Sequence, residues 1–334
     1  MKILVTGHTG FKGSWLTLML HKLGHEVFGY SLDSLSGGIF ELAKLNSVCA
    51  LDIRNDIRDK RQLDKAVEQI QPEIVFHLAA QPLVLTSYDQ IYETYSTNVS
   101  GTLNVLDASL KSKALKGIII ITTDKVYLNN EQKRAFVEED QLGGKDPYSS
   151  SKALADQLTQ DWGLHNPSIP LAIARAGNVI GGGDVSANRL IPDLITSISS
   201  GRIPIIRNPM SVRPWQHVMD CLNGYLALMD FVVKGKSGAF NFGPNEGDFH
   251  SVEEVTTHVL SQYGKSNWDK GDVTGKKEAG FLTLDSRKAM KELNWSNRIS
   301  FTKGLDLTVD WYKAAAAGEE MREFSIRQIA SILS

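Results

Sequence analysis

Short apolar runs rich in Val and Ile alternate with longer amphipathic stretches through the first half of the chain. Lys2–Thr6, Glu26–Tyr30, Val48–Leu51, Ile74–Leu78, Ile118–Thr123 and Leu171–Ala176 read as strands. Between them, residues 13–23, 59–70, 88–112 and 147–164 carry apolar positions at helical spacing, as with Ala153, Leu154, Leu158 and Trp162. Strand–helix alternation of this kind predicts an α/β protein, a parallel sheet covered on both faces. After Ala176 the rhythm changes. "GNVIGGGD" is a glycine-rich loop and the later elements are more widely separated. Residues 1–176 are therefore expected to form a dinucleotide-binding domain, and 177–334 a smaller substrate-binding lobe with some segments returning to the main sheet. The last segment, "EEMREFSIRQIASIL", reads as an amphipathic closing helix.

The first strand runs into "TGHTGFKGSWL", where Gly7, Gly10 and Gly13 follow G-x-x-G-x-x-G. Gly7 suits a tight turn, Gly10 a close approach of backbone to a pyrophosphate, and Gly13 close packing of helix on sheet. Backbone N–H groups of Thr9 to Phe11 and the positive helix end then face the phosphates. The fold this predicts is a Rossmann-type doubly wound sheet. An acidic residue ending the second strand would bond a ribose hydroxyl. Asp33 lies beyond that point and Ser31 nearer it, so Asp33 either reaches the ribose or caps the loop; NAD is favoured over NADP. Asp52 and Ile53, after the third strand, suit an adenine contact. Leu78, Ala79 and Ala80, in "HLAAQ", put small residues on the cofactor's path.

"DPYSSSKA" sets Tyr148 and Lys152 one turn apart on one helix face. A free tyrosine is a poor base near neutrality, and a neighbouring ammonium favours its phenolate while reaching the nicotinamide ribose. Thr123, at the end of an earlier strand, can orient the same substrate hydroxyl. Together these residues predict hydride transfer at a secondary alcohol. They do not explain "TTDKVY", where Asp124 and Lys125 follow Thr123 directly. Alcohol oxidation alone has no use for this acid–base pair; a reaction that also breaks a C–O bond has. A ketone at C4 of a sugar acidifies the C5 proton, so hydroxide can leave C6. Asp124 is the candidate proton donor and Lys125 the candidate base, against the plainer reading of a surface salt bridge.

With these residues in view, the chain resembles the extended short-chain dehydrogenase/reductases, and within them the CDP-glucose 4,6-dehydratase group. "GHTGFKGSWL", "PEIVFHLAAQPLV", "TNVSGTLNVLDA", "TTDKVY", "LGGKDPYSSSKA", "ARAGNVIGGGD", "RPWQHV" and "LDSRKA" carry the likeness nearly end to end. Lysine as third member of the Thr-Asp-x triplet is characteristic of that group; related dehydratases have glutamate. The resemblance implies oxidation at C4, loss of water across C5–C6 and return of the hydride to C6. It places Asn178 on the sugar or diphosphate, Arg189 and Arg213 on the pyrophosphate, and Thr86 and Ser87 on sugar hydroxyls. Either arginine could instead be a structural ion pair. Trp215 and His217 line a base pocket or serve as core and helix-start residues. It also implies a homodimer, or a tetramer built from two, through paired long helices. The chain departs from the pattern at Val185, where tryptophan is usual, and at "LDIRN", "LNNEQ" and "KKEA". The alternatives are a dehydratase of a dTDP-, GDP- or UDP-hexose, a nucleotide-sugar 4-epimerase and, more remotely, a non-catalytic dinucleotide sensor.

Bulk properties narrow the partners without changing that picture. Of 334 residues, 22% are charged and the formal net charge is −2, and Lys276–Lys277 is an isolated basic cluster, so nucleic acid is not expected. Cys49 and Cys221 have no metal-ligand spacing around them, and no metal is expected. "MKILVTG" reads as a strand and turn rather than a signal peptide, and no apolar run approaches a membrane span. The cytoplasm is the expected compartment. Asn98-Val-Ser100 and Asn294-Trp-Ser296 match the glycosylation sequon by chance.

Overall fold

The computed structural model describes residues 1–131, 134–245, 247–271 and 281–333. Lys276–Lys277 and the "KKEA" departure lie outside the described residues. Seven parallel strands form the central sheet. They are β1 (Lys2–Thr6), β2 (Glu26–Ser31), β3 (Leu51–Arg54), β4 (Ile74–His77), β5 (Gly117–Ile121), β6 (Leu171–Ala176) and the strand Gly238–Phe242. Their order across the sheet is β3-β2-β1-β4-β5-β6 and then Gly238–Phe242. That is the doubly wound order, and the direction of winding reverses between β1 and β4, where ligands of such sheets bind.

Alternation within the strands sorts side chains onto two faces. Ile3 and Val5 join one core with Trp15, Leu16 and Met19, whereas Leu4 joins a second with Leu63, Val67 and Leu106. Ile119 and Ile121 face the first core and Ile118 and Ile120 the second. Helices Phe11–Lys22 and Val218–Val233 cover the first face; Lys60–Ile70, Gly101–Ser109 and Pro147–His165 cover the second. Helix starts follow local chemistry. Asp59 accepts the Gln62 N–H at 3.1 Å, and Asp146 accepts the Ser149 N–H at 2.9 Å just before Pro147.

Three elements differ from the sequence reading. The third strand is Leu51–Arg54, not Val48–Leu51. Leu45 and Val48 are buried in the first core, while the partly exposed "LDIR" pairs at the sheet edge. The single helix expected over 88–112 is broken into Val84–Asp89, Ile91–Tyr95, a π turn at Ser96–Ser100 and Gly101–Ser109. At that turn Asn98 is buried, and its amide bonds Gln81 and Ser151 instead of pointing to solvent. The closing helix starts at Met321. Among the described residues no helix is long and apolar enough to cross a membrane.

His77, at the end of β4, is 2% exposed and shares hydrogen bonds with Thr6 at 2.7 Å and Thr102 at 3.0 Å. Burial first, and the Lys152 charge second, push its pKa down to about 3; burial does the same to His217. A folded-state pKa below the ordinary value means stability present above about pH 6.5 and lost as pH falls. Each histidine should cost about 1.4 kcal/mol per pH unit through this window. The thermal midpoint should therefore fall between about pH 6 and 4, less steeply in His77→Asn. Calorimetry across that range checks it, and an unchanged slope would place the buried titration elsewhere.

Candidate active site

The glycine loop closes tightly. Gly7 has φ +76°, and a Cβ there would sit 2.6 Å from the backbone nitrogen of Ala79. A Cβ on Gly13 would collide with the Gly7 carbonyl. Gly10 differs: a Cβ would meet nothing nearer than the Gly7 oxygen at 3.4 Å. Gly10 also caps the helix Phe11–Lys22 without a side-chain bond, leaving first-turn N–H groups free for an anion. Thr9 Oγ1 sits 2.8 Å from Ser31 Oγ, joining the loop to the end of β2. Asp52 is held by His8 at 2.8 Å and by Arg54, and Arg54 stacks over Phe40. Asp52 and Ile53 lie at the β3 edge.

Below the loop opens a cavity of about 640 Å³. Thr123, Asp124, Lys125, Tyr148 and Lys152 all line it, with Phe11, Leu78, Ala80, Asn178, Arg189, Arg213 and Trp215. Gly7, Thr9, Gly10, Gly13, Ala79, Asp52 and Ile53 are not in its wall, nor are Thr86 and Ser87. The Ser87 hydroxyl is committed to structure: it donates to the Val84 carbonyl at 2.7 Å and accepts the Tyr148 N–H at 3.1 Å. Arg189 lines the cavity but also pairs with Asp184 at 2.9 Å. Trp215 has its indole N–H on the His250 carbonyl. His217 faces elsewhere, as the cap of helix Val218–Val233.

The catalytic candidates meet at the end of β5. Thr123 caps a short turn over Asp124–Val126 and donates to Asp124 Oδ1 at 2.8 Å. Thr123 and Tyr148 both line the cavity. Lys152 donates to the Ile121 carbonyl at 3.0 Å. Burial pushes Tyr148 up to about 12, with the neighbouring Thr123 hydroxyl the largest opposing influence. Lys152 is itself pushed down to about 7, by burial and then by the charge of Lys12.

Asp124 is no surface residue. Its side chain is 1% exposed, and Oδ2 has no hydrogen-bond partner. Lys125 reaches Oδ1 at 3.4 Å and is 29% exposed, so the pair has one dry and one wet member. Gly177 makes room for the carboxyl: a Cβ there would lie 3.1 Å from Oδ2 and 2.5 Å from Pro214. A buried, unpartnered carboxyl oxygen is rare, and such exceptions concentrate where chemistry is done.

Lys12, Arg202 and Arg207 also line the cavity and were not singled out from sequence. Lys12 stands inside the quoted motif "GHTGFKGSWL", so motif membership was the available signal for it. Lys12 donates to the Tyr225 hydroxyl at 3.1 Å, and burial lowers its pKa. Among the described residues no group of three or more His, Cys, Asp or Glu is placed to hold a metal.

A doubly wound sheet with a glycine loop at its switch point and a Thr-Tyr-Lys set at the next strand end defines a dinucleotide-dependent enzyme of sugar-like alcohols. The chain belongs to the NAD dependent epimerase/dehydratase family, whose model matches residues 3–243. Among curated proteins it is 41% identical to CDP-glucose 4,6-dehydratase of Salmonella typhimurium, covering 100% of this chain and 96% of that protein. It is 29% identical to dTDP-glucose 4,6-dehydratase of Haemophilus influenzae, over 93% of this chain and 98% of that one. Among solved structures, dTDP-glucose 4,6-dehydratase of Bacillus anthracis in complex with NAD superposes with TM-score 0.80 at 25% identity, covering 96% and 99% of the two chains. UDP-glucose 4-epimerase of Thermotoga maritima with UDP-glucose gives 0.82 at 25% identity, over 95% and 100%.

The two outer glycines and Gly10 should separate by experiment. Gly13→Ala should destabilise the fold, because the protein itself has no room. Gly10→Ala should keep the wild-type thermal midpoint yet lose at least about tenfold in NAD affinity, by excluding the phosphates. Calorimetric titration with NAD checks this. Full affinity in Gly10→Ala would mean that the loop does not carry the pyrophosphate.

Proposed function

We infer that the chain is an NAD-dependent hydro-lyase that converts CDP-D-glucose to CDP-4-dehydro-6-deoxy-D-glucose and water, a step of deoxysugar biosynthesis. The observation that carries this is the buried Asp124, with one unpartnered oxygen, beside Thr123 and Tyr148 in one cavity. Near-complete coverage at 41% identity supports the nucleotide.

The glycine loop, Leu78 and Ala80, and Lys152 would hold NAD, which supplies a hydride acceptor for C4 and a donor to C6. Tyr148 takes the C4 hydroxyl proton, with Thr123 orienting that hydroxyl. Lys152 secures the helix to the strand end and favours the phenolate when charged. Lys125 removes the C5 proton; Asp124 gives a proton to the departing C6 hydroxyl, so water leaves. The C5 proton is replaced from solvent as the hydride returns, and no reduced cofactor accumulates overall. Asn178, Arg189 and Arg213 bind the nucleotide sugar, the guanidiniums meeting the diphosphate. The lobe formed by 177–334 holds the substrate.

Purified protein with NAD should remove one water from CDP-glucose, and not from dTDP-, GDP- or UDP-hexoses, as read by mass spectrometry. Loss from another nucleotide would keep the mechanism and overturn the substrate. Loss from none would overturn the reading. Tyr148→Phe should cost about 10²–10⁴ in kcat. Asp124→Asn should still oxidise C4 but build up reduced nicotinamide, because elimination stalls.

The assembly we propose is a homodimer in the cytoplasm. Ile91, Tyr92, Leu103 and Leu154 are 53%, 80%, 38% and 43% exposed on the helices near the π turn and on Pro147–His165. An apolar face of this kind fits a second copy. Sedimentation should show a dimer that Leu154→Glu weakens; a monomeric wild type would sink the proposal.

A further inference from the structure

Behind the catalytic strand end lies a buried ion pair that no step of the proposed reaction uses. Arg175 on β6 and Asp156 on helix Pro147–His165 have side chains 2% and 0% exposed. The guanidinium is bidentate, with Nε donating to Oδ2 at 2.9 Å and a terminal nitrogen to Oδ1 at 2.7 Å. Both partners make further bonds, and these flank the catalytic segment. Thr122 Oγ1 donates to Asp156 Oδ2 at 3.0 Å. Arg175 donates to the Tyr127 hydroxyl at 3.0 Å and to the Glu138 carbonyl at 2.9 Å. Tyr127 in turn donates to Asn241 at 2.6 Å and stacks on Phe136 with centroids 4.9 Å apart. The pair thus grips Thr122 and Tyr127, on either side of Thr123, Asp124 and Lys125.

The helix side is held as firmly. Asp156 follows Lys152 by one turn on the same face, and Lys152 bonds the Ile121 carbonyl. Asp156 also opposes the burial and the Lys12 charge that depress the Lys152 ammonium. Stability alone does not account for such a pair. Desolvating two ions costs several kcal/mol each, and apolar replacements of similar volume are often neutral or stabilising.

We propose that Arg175 and Asp156 are positioning residues that lock the helix bearing Tyr148 and Lys152 to the strand end bearing Thr123 and Asp124, so that the oxidation groups and the elimination groups face one substrate pose. This rests on the dehydratase reading, because a reaction of two chemical stages needs both sets in one register. Neither residue lines the cavity, and both act through the groups they hold.

The test pairs the single variants Asp156→Asn and Arg175→Met with the apolar double variant Asp156→Leu/Arg175→Met. Each single variant should lower the thermal midpoint by leaving a buried group unpaired. The double variant should regain that midpoint while kcat falls by about 10²-fold and KM changes by less than about threefold. A purely structural pair predicts that midpoint and kcat recover together, and wild-type kcat in the double variant would overturn the inference. Should the double variant not fold, Thr122→Val removes the Asp156 tie to the segment and, besides it, only a long 3.4 Å bond to the Ala174 carbonyl. A loss in kcat of more than about fivefold is then expected, and none would overturn the inference equally. All variants are assayed on whichever nucleotide hexose the wild-type chain dehydrates. A wild type that dehydrates none overturns the dehydratase reading and this inference with it. An active wild type with an unaffected double variant overturns this inference alone.

Discussion

Lys152 commits one ammonium proton to the Ile121 carbonyl, 3.0 Å away at the last residue of β5. A buried carbonyl needs a donor, and here the donor comes from a neighbouring helix instead of an adjacent strand. The bond fixes how far the helix Pro147–His165 stands from the strand end. Tyr148 is placed one turn earlier on that helix, in the same cavity wall as Thr123. Thr123 reaches Asp124, and Asp124 reaches Lys125. The site is therefore a chain of contacts measured from one backbone oxygen.

The same burial that builds this geometry sets the proton chemistry against itself. Their own burial drives both Tyr148 and Lys152 toward their neutral forms, the phenol up and the ammonium down. Lys12 adds a second ammonium to the same interior. Lys12, Lys125 and Lys152 share the cavity wall with Arg189, Arg202, Arg207 and Arg213, so basic groups dominate its charged lining. Such a lining attracts anionic ligands.

Most of this was legible because it depends on local rules. The apolar runs and the helical pattern located β1, β4, β6 and Pro147–His165, since those strands are buried on both faces and that helix is capped by Asp146 and Pro147. The positions of Thr123, Asp124, Lys125, Tyr148 and Lys152 in one cavity followed from two motifs and the topology of a parallel sheet. What failed was non-local. Val48 is apolar for the sake of the core, and the strand begins only at Leu51. The π turn at Ser96–Ser100 exists because Asn98 finds partners at Gln81 and Ser151, distant in sequence. The contacts that hold Asp52 and occupy Ser87 come from His8, Arg54, Val84 and Tyr148, which no spacing rule brings together.

The strand Gly238–Phe242 completes the sheet beside β6 although more than sixty residues of other structure separate them. Without it β6 would become an open edge, with its unpaired backbone offered to any passing strand. Phe240 and Phe242, both fully buried, would leave the core with it. The chain is for this reason not a cassette of two exchangeable parts. A designer wishing to transplant another nucleotide preference would have to graft between Gly177 and Ser237 and leave the returning strand in place, and natural recombination faces the same restriction on where its breakpoints can fall.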